Sequence, residues 1–199
     1  MFSEYCGLLA GVVSAFAFVP YLYSITQGTK PSLATWTIWT IVGLLTCSSY
    51  LSANEGWVST AWVAVVYVIA PFVTALMTWW YGARYTGLDT IEVVCMCGAL
   101  CGVFIWLSTH SAFAALMVFI VIDCVGVVPT VVKSFKDPYS ESLIAWVCSL
   151  VGSSLNLFAI EVGHWSIAEA SYPVYLAFSV WVTCATIVFR RRIVPAGFT

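Results

Sequence analysis

Asp123 is the residue whose type and setting point most directly to chemistry. It stands near the middle of an apolar run at about 112–133. An ionised carboxylate at such a place in hydrocarbon costs about 3 kcal/mol or more, so a residue of this kind faces a cavity or a partner. No Lys or Arg lies at matching depth, which removes an ion pair within the membrane. The carboxyl is then protonated, hydrated, or bound to a substrate or cation. Solute contact or proton transfer is one account; a protonated carboxyl hydrogen-bonded across helices is the other.

A polar stripe accompanies it. Trp146, Ser149, Ser153 and Asn156 are spaced 3, 4 and 3 apart, which keeps all four on one helix face. Thr37, Thr40 and Cys47, flanked by Trp36 and Trp39, form a comparable face earlier in the chain. In a membrane such faces either glue helices together or line a cavity. Trp36, Trp39 and Trp146 fall toward one end of their segments, as the floor of a site, as an inner gate, or as interface anchors. Tyr67 and Tyr175 are placed to bracket a solute from two sides or to pack in a core. Pro20 and Pro129 each remove a helix hydrogen bond and are candidate hinges, the alternative being a static kink.

Other chemistries find little here. Cys95, Cys97 and Cys101 invite a soft metal, but Cys95 points away from the face that Cys97 and Cys101 share, and buried Cys is ordinarily a small apolar residue. No nucleophile–base pair, phosphate loop or zinc motif is present, so neither an enzyme nor a resident cofactor is expected. Nucleic acid is not an expected partner. Gly98-x-x-x-Gly102 and Gly7-x-x-x-Gly11 mark close helix approach, within the chain or to a second copy in a homo-oligomer.

The elements that must position these residues follow from composition. The 199 residues are 62% hydrophobic and 8% charged, with a mean hydropathy of +0.99. A soluble domain is about a quarter charged, so this chain requires lipid around it. Continuous apolar segments lie at roughly 5–25, 33–52, 57–81, 90–108, 112–133, 142–161 and 168–189, each near the length that spans a bilayer. They do not alternate, and helices are the structures that satisfy their backbones in lipid. The eight cysteines all fall inside such segments, unlike a disulfide framework. The first segment lacks a basic flank and a clear cleavage site, and is read as a retained helix rather than a signal peptide.

Seven helices place Lys30, Arg84, Lys133, Lys136, Arg190, Arg191 and Arg192 on one side, and Glu4, Glu55, Glu161 and Glu169 on the other. Cationic loops are cytoplasmic. The expectation is a multi-pass plasma-membrane protein with its N-terminus outside and its C-terminus in the cytoplasm.

The chain also repeats itself. At a shift of 109, Pro20 falls on Pro129, Gly43 on Gly152 and Ser14 on Asp123; at 108, Trp57 falls on Trp165 and Tyr67 on Tyr175. Ser14 thereby joins Asp123 as a candidate for a central site. The fold class is all-α integral membrane, with seven helices in a 3+1+3 parallel-repeat arrangement. Residues 1–85 form one triplet, 86–110 a linker helix, and 111–199 the second triplet with a short basic end. Parallel repeats of this kind are one of the transporter plans.

The stretches Val19-Pro20-Tyr21 to Lys30-Pro31-Ser32 and Val128-Pro129-Thr130 to Asp137-Pro138-Tyr139-Ser140-Glu141-Ser142 carry a specific resemblance. A proline late in the first helix of each triplet precedes a short polar loop and a helix rich in Ser, Thr and Trp. The chain resembles the SWEET sugar transporters and the wider PQ-loop clan, although the Pro-Gln of that clan is Pro-Tyr and Pro-Thr here. The resemblance implies a secondary transporter or facilitator of a small polar solute, with a saccharide the first choice and an amino acid or vitamin close behind. The alternative is a membrane receptor or assembly protein built on the same fold.

Overall fold

The computed structural model describes residues 1–28, 32–81, 90–139, 141–161 and 165–194. Lys30, Pro31, Arg84, Ser140 and His164 lie outside the described residues. Among the described residues there are seven helices and no strand: α1 Phe2–Thr26, α2 Leu33–Ala53, α3 Ala61–Trp80, α4 Thr90–Thr109, α5 Ala112–Lys136, α6 Leu143–Leu157 and α7 Ile167–Ile193.

Serine starts four of these helices. Ser32, Ser111, Ser142 and Ser166 each accept a hydrogen bond from the backbone N–H three residues on, at 3.0–3.3 Å. Such a cap contributes about 1 kcal/mol by satisfying one of the helix's unpaired donors. Ends are equally local. Gly28 takes φ +102°, a conformation that favours glycine, just beyond α1. Asp137 is extended because Pro138 follows, and α5 stops there. Pro20 and Pro129 sit inside α1 and α5, and both helices continue through them.

Five helices, α1, α3, α4, α5 and α7, are long and apolar enough to cross a membrane. α2 has the length, but its Thr, Ser and Trp residues lower its hydropathy. The sixth expected segment, 142–161, is shorter than its hydropathy suggested. α6 ends at Leu157, and a turn closes at Phe158–Ile160.

The outward surface is apolar. On α4, Leu100, Phe104 and Leu107 are 69%, 71% and 71% exposed, a stripe at helical spacing. Phe16, Val121, Ile144 and Phe178 face outward in the same way. A surface this apolar suits acyl chains rather than water. The chain is a helical, membrane-embedded protein.

Packing follows a definite order. α3 lies between α1 and α2, which do not touch each other through their backbones. α7 lies between α5 and α6, which likewise do not meet. α1 packs on α6, α2 packs on α5, and α4 rests on α5 and α2. Small residues permit the closest approaches. A Cβ on Gly43 would fall 2.6 Å from the Tyr67 carbonyl oxygen, and one on Gly11 would fall 3.1 Å from Trp62 Cβ. Both small-residue motifs are used within the chain: Gly98 and Gly102 of α4 meet Ile122 and Phe119 of α5, while Gly7 and Gly11 of α1 meet Ser59 and Trp62.

Candidate functional site

Asp123 projects from the middle of α5 and is half-buried. Its Oδ2 accepts a hydrogen bond of 2.8 Å from the Tyr175 hydroxyl on α7. It is the one hydrogen bond the carboxylate receives among the described residues. The hydroxyls of Tyr67 on α3 and Tyr172 on α7 lie within electrostatic reach of the same carboxylate. Tyr67 also reaches Ser149 of α6. Phe18 of α1 sets its ring edge-on to Tyr67, with centroids 5.7 Å apart. Tyr172 and Tyr175, three residues apart on one face, have centroids 6.4 Å apart. α7 thus supplies the hydroxyl bonded to the α5 carboxylate, and α3 brings Tyr67 within its electrostatic reach.

The two ends of this cluster differ. Glu55, Glu161 and Glu169 mark an acidic end; Lys133, Lys136 and Arg190–Arg192 mark a basic one. Toward the acidic end the interior is closed. Tyr50 is fully buried, shares a 2.5 Å hydrogen bond with Thr60, and donates to the Glu169 carbonyl at 2.7 Å. Its ring lies 5.6 Å from that of Tyr172. The Glu169 carboxylate, itself buried, accepts the Glu161 N–H at 3.3 Å. Toward the basic end Tyr21, Trp36, Trp146 and Glu141 are half-buried, while Ile25, Thr78, Ser134, Pro138 and Ile187 are fully buried. Trp36 donates to the Tyr21 hydroxyl at 3.2 Å, and Trp146 donates to Glu141 at 3.3 Å. Glu141 is paired with Lys133 at 3.0 Å.

The sequence-predicted site residues therefore divide. Asp123 and Tyr175 are hydrogen-bonded, Tyr67 lies within electrostatic reach of Asp123 and close to Ser149, and Tyr67, Tyr175 and Trp146 pack against one buried cluster. Trp36 joins Tyr21 at that end. Trp39 is elsewhere: its indole lies against Gly126, where an added Cβ would fall 2.6 Å from Cζ2. There it lines a cavity of about 200 Å³ between α2, α4 and α5, with Thr35, Glu92 and Thr130. Glu92, in the first turn of α4, is bonded there by the hydroxyl of Thr35.

Among the described residues no hydrogen bond joins Ser14, Ser153 or Asn156 to the carboxylate. α1 and α5 share no backbone contact among the described residues. Ser14 is buried at the crossing of α1 and α6, where Gly152 of α6 lets its backbone N approach. The 109-residue shift that sets Ser14 against Asp123 in the sequence does not make them neighbours. A Cβ on Gly7 would sit 3.5 Å from that of Ala159, so α6 follows α1 antiparallel from Gly152 to Ala159. Asn156 lies between these two points. It is completely buried, and neither atom of its amide has a hydrogen-bond partner among the described residues; Ser14 Oγ has none either. Ser153 returns its hydroxyl to the Leu150 carbonyl at 3.2 Å. The hinge candidates are set apart as well: Pro20 is exposed, and Pro129 borders the α2–α4–α5 cavity.

No family model matches the chain, and no curated protein or solved structure matches it. The reading of function therefore rests on the site's own chemistry.

Several residues that shape this site were missed from the sequence. Tyr172 shares a helix face with Tyr175, and that i, i+3 spacing was the available signal. Tyr50, Phe18 and Glu141 carried none, because their roles depend on which helices become neighbours.

Proposed function

We propose that the protein is a secondary transporter or facilitator of a small polar solute, working by alternating access between two three-helix units. The observation that carries this reading is the half-buried Asp123–Tyr175 pair at mid-depth, bordered by Tyr67 and Ser149 from helices of both units. A carboxylate held there is costly unless it meets water, a proton or a ligand. Polar side chains beside it replace the hydration a solute leaves behind.

The packing order supports the same reading. If α1–α3 and α5–α7 are equivalent units, the α1–α3–α2 order corresponds to α5–α7–α6, and the α1–α6 contact corresponds to the α5–α2 contact. α4 is then the linker of a 3+1+3 plan. Two like units meeting around a central site can rock against each other. In this reading the basic end faces the cytoplasm, the N-terminus lies outside, and the membrane is the plasma membrane.

Solute counterflow in proteoliposomes tests the proposal. Saturable exchange of a solute, lost in Asp123→Asn protein with an unchanged melting temperature, is the expected result. Binding without exchange would instead identify a receptor that uses the same helices.

A further inference from the structure

The chemistry around Asp123 narrows the solute class. We infer that the Asp123 site takes an organic cation, a solute with a substituted ammonium group, rather than a neutral saccharide. The inference rests on the transport reading for its physiological meaning, but the binding it describes stands on the residues themselves.

Charge is the first ground. The Asp123 carboxylate has no cationic side chain beside it among the described residues. The cations on its own helix, Lys133 and Lys136, lie 10 and 13 residues further on, about 15–20 Å along the axis. Lys133 is already paired with Glu141, and Arg190 and Arg191 are held by backbone carbonyls at the basic end. A ligand that brings its own positive charge therefore relieves the cost of this carboxylate where the protein does not.

The surroundings are the second ground. Tyr175 is bonded to the carboxylate, the Tyr172 ring lies 6.4 Å from that of Tyr175, the Tyr67 hydroxyl is within electrostatic reach of the same carboxylate, and Phe18 packs edge-on to Tyr67. Aromatic rings attract a cation within about 6 Å of the ring centroid, and aromatic cages are a common means of holding quaternary ammonium groups. A cation resting on Asp123 Oδ1 meets these rings with its methyl or methylene groups.

The hydrogen-bonding inventory is the third. A saccharide presents several hydroxyls, each needing a partner once water is gone. Beside Asp123 the Tyr175 hydroxyl donates its one proton to the carboxylate and has none to give a sugar. An inorganic cation fits no better. A divalent ion takes six or more oxygen ligands, and the described residues hold no group of three or more His, Cys, Asp or Glu placed for a metal.

The test uses the full chain in proteoliposomes and in detergent, with choline, ethanolamine and glucose as probes. The expected result is saturable binding of choline by calorimetry and choline–choline exchange across the vesicle wall, with no competition from glucose. Asp123→Asn abolishes binding at an unchanged melting temperature. Tyr67→Leu weakens it by roughly three- to thirtyfold, while Tyr67→Phe, which keeps the ring, retains more affinity than Tyr67→Leu. Choline binding without exchange upholds the inference and overturns the transport reading. Glucose exchange without binding of either amine overturns the inference and upholds transport. Absence of binding by all three probes overturns the inference.

Discussion

Tyr175 on α7 donates its hydroxyl to Asp123 on α5 across 2.8 Å, a bond between two neighbouring helices at mid-depth. A hydrogen bond to a charged group contributes about 1.5–3 kcal/mol. It also fixes which carboxylate oxygen is occupied and which is free. The remaining chemistry of the site depends on that division.

Tyr175→Phe removes this bond and keeps the ring. The expected outcome is a loss of solute affinity or flux of about tenfold or more, with a fall in thermal stability of about 1–3 kcal/mol because Asp123 loses its one donor. Thermal melting and counterflow on the same preparation check it. Unchanged values for both would show that the carboxylate does not depend on Tyr175.

Proton coupling is tested on the same carboxylate. If Asp123 carries a proton during the cycle, wild-type flux responds to a pH gradient and Asp123→Asn either loses flux or loses that response. Variant flux equal to wild type, with the same pH response from mildly acidic to mildly basic buffer, would rule the coupling out.

Gly43→Ala probes the closest approach of α2 to α3. The new Cβ meets the Tyr67 carbonyl oxygen at 2.6 Å, and a backbone atom has little room to give. Overpacking of this sort costs about 1–3 kcal/mol. Because Tyr67 belongs to the site, the displacement should appear as lower affinity as well as a lower melting temperature. A neutral substitution would mean that α2 and α3 slide freely past each other.

Ser14→Ala removes a buried hydroxyl at the α1–α6 crossing that has no hydrogen-bond partner among the described residues. An unpaired buried polar group costs about 1–3 kcal/mol, so the variant should melt at the same temperature as wild type or higher. A clear drop would reveal a trapped water bridging Ser14 to its surroundings.

Arg191 ties the end of α7 to the turn between α5 and α6. It donates to the Pro138 and Glu141 carbonyls at 2.9 and 2.8 Å and lies 4.9 Å from the Tyr139 ring centroid. Arg191→Ala should make Asp137–Tyr139 more susceptible to protease, and Arg191→Lys should not restore protection, because an ammonium lacks the planar fork. Limited proteolysis of solubilised protein compares the three.

Much of the fold could be read before the structure. Apolar runs located the helices because backbone satisfaction in lipid leaves few alternatives. Their ends were less legible: nothing in the hydropathy of 142–161 shows that Phe158–Ile160 turns rather than continues. At the site, Asp123 stood out by cost alone, and Tyr67 and Tyr175 by their equivalent positions. Asn156 shows what periodicity leaves open. It shares a face with Trp146, but ten residues separate them by about 15 Å along the axis, so the two ends of one stripe meet different neighbours. Periodicity reports direction around a helix and says nothing about which helix waits there.

The brevity of α6 has a consequence for the lipid around it. Fifteen residues rise about 22 Å, against a hydrocarbon layer of about 30 Å. The membrane beside α6 must thin, or the helix must draw polar flanks inward, at a modest cost for each ångström of mismatch. Acyl-chain length thus becomes a control acting on this wall, and Ser149 sits in it. Short-chain bilayers should relax the helix that carries Ser149, while thick, ordered ones should strain it.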